Sequence, residues 1–122
     1  MNNISEKLFL EGVDLFNRKS FYDAHESWEN LWTEYNLDDA LLIQGLIQLS
    51  VAYFHITNLN LKGSKNLFNK CIPKLEKYRE NLRGIDINEI INTAELALDN
   101  INSIENTNDF DWALVPHIRI NK

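Results

Sequence analysis

The sequence predicts an all-α fold: a compact bundle of about five helices with a central buried helix and a docked C-terminal tail. Two observations carry this. Apolar residues recur at spacings of three and four along most of the chain, the period of helices with one buried face. The stretch Asp39 to Asn58, DALLIQGLIQLSVAYFHITN, is apolar nearly all the way round, which marks a helix buried on most sides. The 122 residues read as one domain, 1–122, large enough for a real core and divided by no low-complexity linker.

The first helix is expected from about Asn3 to Arg18, with Leu8, Phe9, Gly12, Val13 and Phe16 on its apolar face. Gly12 costs helix propensity, so it should permit a close approach by a neighbour. Ser20 has the character of an N-cap, with Asp23 as its charged companion in the first turn. The second helix, about Phe21 to Tyr35, carries Phe21, Ala24, Trp28, Leu31, Trp32 and Tyr35 as a wide aromatic stripe that reads as core packing. His25 sits on the stripe's margin, Glu29 one turn further on the same side, and Glu26 further towards solvent. The turn Asn36-Leu37-Asp38, with Asp38 as a cap, is short enough to make the second and third helices antiparallel neighbours.

After the central helix, a link from Asn58 to Gly63 leads into a fourth helix bearing Leu67, Phe68, Cys71, Ile72, Leu75 and Tyr78 on one face. Pro73 removes a backbone donor inside that pattern and should kink or split the helix near Ile72. Gly84 stops the chain there, and Asp86 with Glu89 has capping-box spacing for a fifth helix, 87–105, burying Ile87, Ile90, Ile91, Ala94, Leu98 and Ile101. The remainder, 109–122, holds Phe110, Trp112, Leu114, Val115 and Ile118. It is too apolar to float freely, and Pro116 opposes a helix, so an extended, docked tail is predicted. The first two helices faintly echo the third and fourth, but two pairs are fewer than a solenoid needs.

Twelve basic and eighteen acidic residues leave a net charge of −6, which repels phosphate backbones and argues against a nucleic-acid partner. One cysteine, Cys71, cannot form an intrachain disulfide; on an apolar stripe it reads as an inert buried thiol in a cytoplasmic protein. The first residues lack the basic and apolar regions of a signal peptide, and two glutamines and a histidine interrupt the central helix, so no membrane partner is expected.

Those interruptions are the most informative polar residues. Gln44, Gln48 and His55 fall within about 40° of one another around the central helix, with Val51 between them. A polar seam on a buried helix must find partners, and His25, Glu29 and Tyr22 of the preceding helix are the candidates. On this reading Gln48→Leu would lower stability by about 1–3 kcal/mol, by stranding a buried partner.

The runs Gly12-Val13-Asp14-Leu15-Phe16-Asn17, Phe21-Tyr22-Asp23-Ala24-His25-Glu26 with Glu29 and Trp32, and Gln44-Gly45-Leu46-Ile47-Gln48-Leu49 with Ala52 and His55 resemble the paired signatures of the domain of unknown function 309 family. Gly63 and the segment Leu75 to Tyr78 are compatible with its third segment, so the resemblance spans about residues 8 to 86. Ser64 stands where the family often has alanine, and the fifth helix and tail match less well. The resemblance implies a compact all-helical fold and, through a label sometimes given to the family, a metal-dependent hydrolase.

Two functional readings follow. In the first, His25, Glu29, Gln44, Gln48, His55 and Tyr22 form a buried hydrogen-bond network that sets helix register in a binding or scaffold module. Its partner would be another protein; a further possibility is a homo-oligomer that buries the tail or the fifth helix against a copy of itself. In the second, His25, Glu29 and His55 ligate a divalent transition metal and Glu26 acts as general base of a hydrolase. Against the second, His-Glu-x-x-Glu lacks the second histidine of the zincin motif. The hydrolase requires the polar group to open onto a cleft; the scaffold requires it closed.

Overall fold

The structure, a computed structural model, describes residues 3–120. Five α-helices follow in order: α1 Asn3–Asn17, α2 Phe21–Glu34, α3 Ala40–Thr57, α4 Leu61–Glu76 and α5 Ile87–Ser103, then a short 3₁₀ turn at Thr107–Asp109. Each helix packs chiefly on its chain neighbours, and α3 lies between α2 and α4. The close approaches show antiparallel pairing. Phe9 meets Trp28 while Phe16 meets Phe21. Tyr22 at the start of α2 meets Phe54 at the end of α3. Gly45 faces Leu75 while Gly63 faces His55. The protein is therefore an all-α bundle.

The hairpins α1–α2 and α3–α4 use the same connector. Lys19 and Leu59 have φ of 64° and 59°, the left-handed conformation that ends a helix. In each, the next amide reaches back to a carbonyl in the last turn, Ser20 to Leu15 and Asn60 to His55. The sequence echo between these helix pairs thus extends to their turns. Capping departs from expectation at two helices. Ser20 occupies the N-cap of α2 but makes no side-chain cap. The N-cap of α3 is Asp39, not Asp38, and its carboxylate grips Arg83 in a two-pronged ion pair of 2.7 and 3.0 Å. Asp86 does cap α5, accepting from the Glu89 amide. Pro73 lies inside α4, which is not split there, and its ring faces solvent. On α5, Ala97 is buried and Leu98 only half-buried.

One apolar core draws on every helix and on the tail. Tyr53 of α3 is its centre. Its ring stacks on Phe21 at 5.3 Å and meets Phe16, Phe68 and Phe110 edge-on. Its hydroxyl donates to the Leu114 carbonyl at 2.7 Å, so the most buried helix holds the tail directly. Burial pushes the Tyr53 phenol well above its ordinary range, and nearby Cys71 adds to the effect. The tail is also clamped by Asn17, which donates to the Ile118 carbonyl and accepts from its amide at 3.0 and 2.8 Å. An isolated bridge between Ile85 and Ile120 closes it on the α4–α5 loop. The tail is docked as expected up to Ile120; its last two residues lie outside the described chain.

Candidate functional site

The apolar character of α3 is not matched by uniform burial. Ten of its 18 residues are buried, and together they wrap most of the helix. The helix is long and apolar enough to cross a membrane, with a mean hydropathy of 1.4, yet 56% of that window is buried within the protein. Gln44, Gln48, Val51 and His55 are instead half-buried and form the one open stripe of the helix. Stripe and buried face arise together, because α2 and α4 cover the two flanks of α3.

On the α2 side, Tyr22 is half-exposed; its ring lies 5.3 Å from both Phe54 and His25. His25 Nδ1 lies 3.2 Å from the Tyr22 carbonyl oxygen, so Nδ1 carries the proton there and Nε2 faces outward. Nε2 lies 3.9 Å from the Glu29 carboxylate, and a doubly protonated imidazole would present an N–H to it. Glu26 is fully on the exposed side of α2. Trp32 is 38% exposed, contrary to its expected place in the core, because it lies at the margin of the buried face beside His25, whereas Leu31 at the same end of α2 is fully buried.

The expected buried network does not form. Among the described residues no hydrogen bond joins His25 or Glu29 to Gln44, Gln48 or His55, and all five are accessible in part. His55 turns away to Asn60, the N-cap of α4, with Nδ1 3.4 Å from the amide nitrogen. Asn60 also accepts from the Gly63 amide, so His55 buttresses a helix start. Gln48 is the exception to exposure at the atomic level, for its Oε1 is shielded from solvent and has no hydrogen-bond partner. The fully buried Ser64 hydroxyl of α4 also lacks one.

The donor set does not fit a metal. His25 and Glu29 come together, but His55 is committed to Asn60. Among the described residues, no group of three His, Cys, Asp or Glu side chains converges on a metal position. Two surface clefts lie elsewhere. One, of about 820 Å³, sits between Glu6, Asp38, Tyr78 and Arg83; the other, of about 660 Å³, sits between α4 and α5 at Ile72 and Leu96. Neither is lined by His25, Glu29, Gln48 or His55.

A family model described as Domain of unknown function (DUF309) matches residues 9–67. Over that stretch, just under half of the chain, the sequence is similar to the DUF309 family. The DUF309 segment contains all of α2 and α3, and with them the whole open stripe and its α2 margin. The segment Leu75 to Tyr78, α5 and the tail fall outside it. No curated protein matches the chain.

Two residues that complete this face were missed by sequence reasoning. Phe54 is the ring against which Tyr22 rests, and only the register between α2 and α3 reveals that. Asn60 holds His55, and its position just before an apolar periodic run carried a legible N-cap signal.

Proposed function

We propose that this chain is a non-catalytic binding module whose α2–α3 face engages a polypeptide. The observation that carries the reading is the open stripe on an otherwise core helix. The stripe runs beside half-exposed Tyr22, whose ring rests 5.3 Å from that of partly exposed Phe54. Exposed aromatic rings supply contact area at small entropic cost. A net charge of −6 favours a protein partner over nucleic acid, and a lone buried thiol suits a cytoplasmic setting. The hydrolase reading finds no support in the donor geometry.

A photo-crosslinking residue placed at Tyr22 and, separately, at exposed Glu95 of α5 tests this in cells. The reading requires a discrete protein adduct from position 22 that position 95 does not give, and its loss in a Trp32→Glu background. Equal labelling from both positions, or none from position 22, overturns it.

A further inference from the structure

The partner-binding face has an internal symmetry. Tyr22, His25, Glu29 and Trp32 follow one another at spacings of three, four and three, the seam of a helix pair, and span about 80° of the helix. Tyr22 and Trp32 lie five positions on either side of Ser27, while His25 and Glu29 lie two positions on either side. Both end residues are exposed aromatics, at 50% and 38%, and the inner two are a potential cation and an anion.

Such a seam is self-complementary. When a second α2 lies antiparallel across the first with the two-fold axis at the level of Ser27, Tyr22 of each copy faces Trp32 of the other. His25 of each then faces Glu29 of the other. An isologous contact requires that a patch match its own rotated image, and this arrangement does so in both shape and charge. We infer that the polypeptide engaged by the α2–α3 face is a second copy of this chain, docked by antiparallel pairing of the two α2 helices. This rests on the binding reading above and narrows it to one occupant. In the dimer each His25 imidazole lies between two carboxylates, its own Glu29 and the partner's. The partly exposed Gln44, Gln48 and Val51 stripe of α3 then flanks the seam. Opposite charges across the axis set the antiparallel direction; a parallel pairing would place like charges together.

Sedimentation velocity of the full chain at tens of micromolar tests the inference. The wild type sediments as a dimer, and Trp32→Glu, at an exposed position, sediments as a monomer with an unchanged helical circular dichroism spectrum. Glu29→Lys alone raises the dimer dissociation constant roughly ten-fold or more, since each lysine then faces His25 of the other copy. The double variant His25→Glu with Glu29→Lys exchanges both signs and restores the dimer. Leu96→Glu, on the separate α4–α5 face, leaves it intact. A monomeric wild type, a dimer that survives Trp32→Glu, a dimer lost in Leu96→Glu, or a failed charge exchange overturns the inference. A monomeric wild type that still gives a specific adduct from position 22 would reject self-pairing while leaving the binding reading in place. Absence of both would reject the two together.

Discussion

Replacing Gly12 with alanine sets two opposed effects against each other. Alanine is the better helix former, by about 1 kcal/mol in a helix interior. The added methyl, however, would lie 2.1 Å from Trp28 Nε1 and 2.4 and 2.5 Å from the adjoining ring atoms. The indole has nowhere to retreat. It is fully buried, is packed against Phe16 at 6.0 Å, and donates to the Phe9 carbonyl at 3.1 Å. Overpacking of this kind costs roughly 1–3 kcal/mol, and a displaced indole N–H left buried without its acceptor costs about 1–3 kcal/mol more. Subtracting the propensity gain leaves a net loss of about 1–5 kcal/mol, centred on about 3 kcal/mol. In a chain of this size a loss of about 3 kcal/mol lowers the melting temperature by roughly 10–15 °C. Urea unfolding followed by circular dichroism reads the effect directly. A double-mutant cycle isolates its cause: in a Trp28→Leu background the steric cost disappears, and Gly12→Ala should become neutral or stabilising. Equal or greater stability of Gly12→Ala in the wild-type background would refute the packing of α1 on α2 described above.

Three further outcomes follow from particular residues. Gln48→Leu should leave stability unchanged or raise it by up to about 1 kcal/mol, because it removes an unpaired shielded carbonyl. This reverses the loss expected from sequence, and a drop of more than about 1 kcal/mol in thermal unfolding would show that Gln48 has a partner in the free protein. Leu59→Gly should stabilise by about 0.5–1 kcal/mol, since Leu59 is 75% exposed and held at φ 59°, a conformation that penalises any side chain; no rise in melting temperature would count against the strain. Cys71, its thiol pushed up to about 12 by burial against an ordinary 9.0, should resist iodoacetamide until the protein unfolds. The unfolded thiol ionises first, so the unfolded state holds fewer protons and stability falls as pH rises from about 9 through about 12. Tyr53 acts in the same direction. Rapid labelling of the native protein, or an alkaline stability profile that stays flat, would contradict this burial.

Much of the fold was legible because helical periodicity is a local signal. The apolar faces of α1, α4 and α5 appear in the sequence at spacings of three and four, and their boundaries fall within a few residues of expectation. Gly12 was legible as a site of close approach, though not the identity of the neighbour. Trp32 was misplaced because it shares helical spacing with Trp28, and spacing alone does not say how far round α2 the covering neighbours reach: Leu31 is fully buried and Trp32 is not. The expected polar network failed for a related reason. Gln44, Gln48 and His55 do share one stripe, as their spacing requires, but whether a stripe is covered depends on the angular reach of α2 and α4 around α3. His55 was drawn to Asn60, five residues on in the chain, in preference to the more distant His25 and Glu29.

The helices, the antiparallel pairing of α2 with α3 and the central position of α3 could be read from the chain, because they depend on hydrophobic period and on a connection too short to allow another path. What surrounds the polar residues of α2 and α3 was settled by packing. Their roles turn on which flank of α3 each neighbour covers and on contacts such as Tyr22 with Phe54. Such contacts depend on the register between two helices, which a period of 3.6 residues repeats without marking.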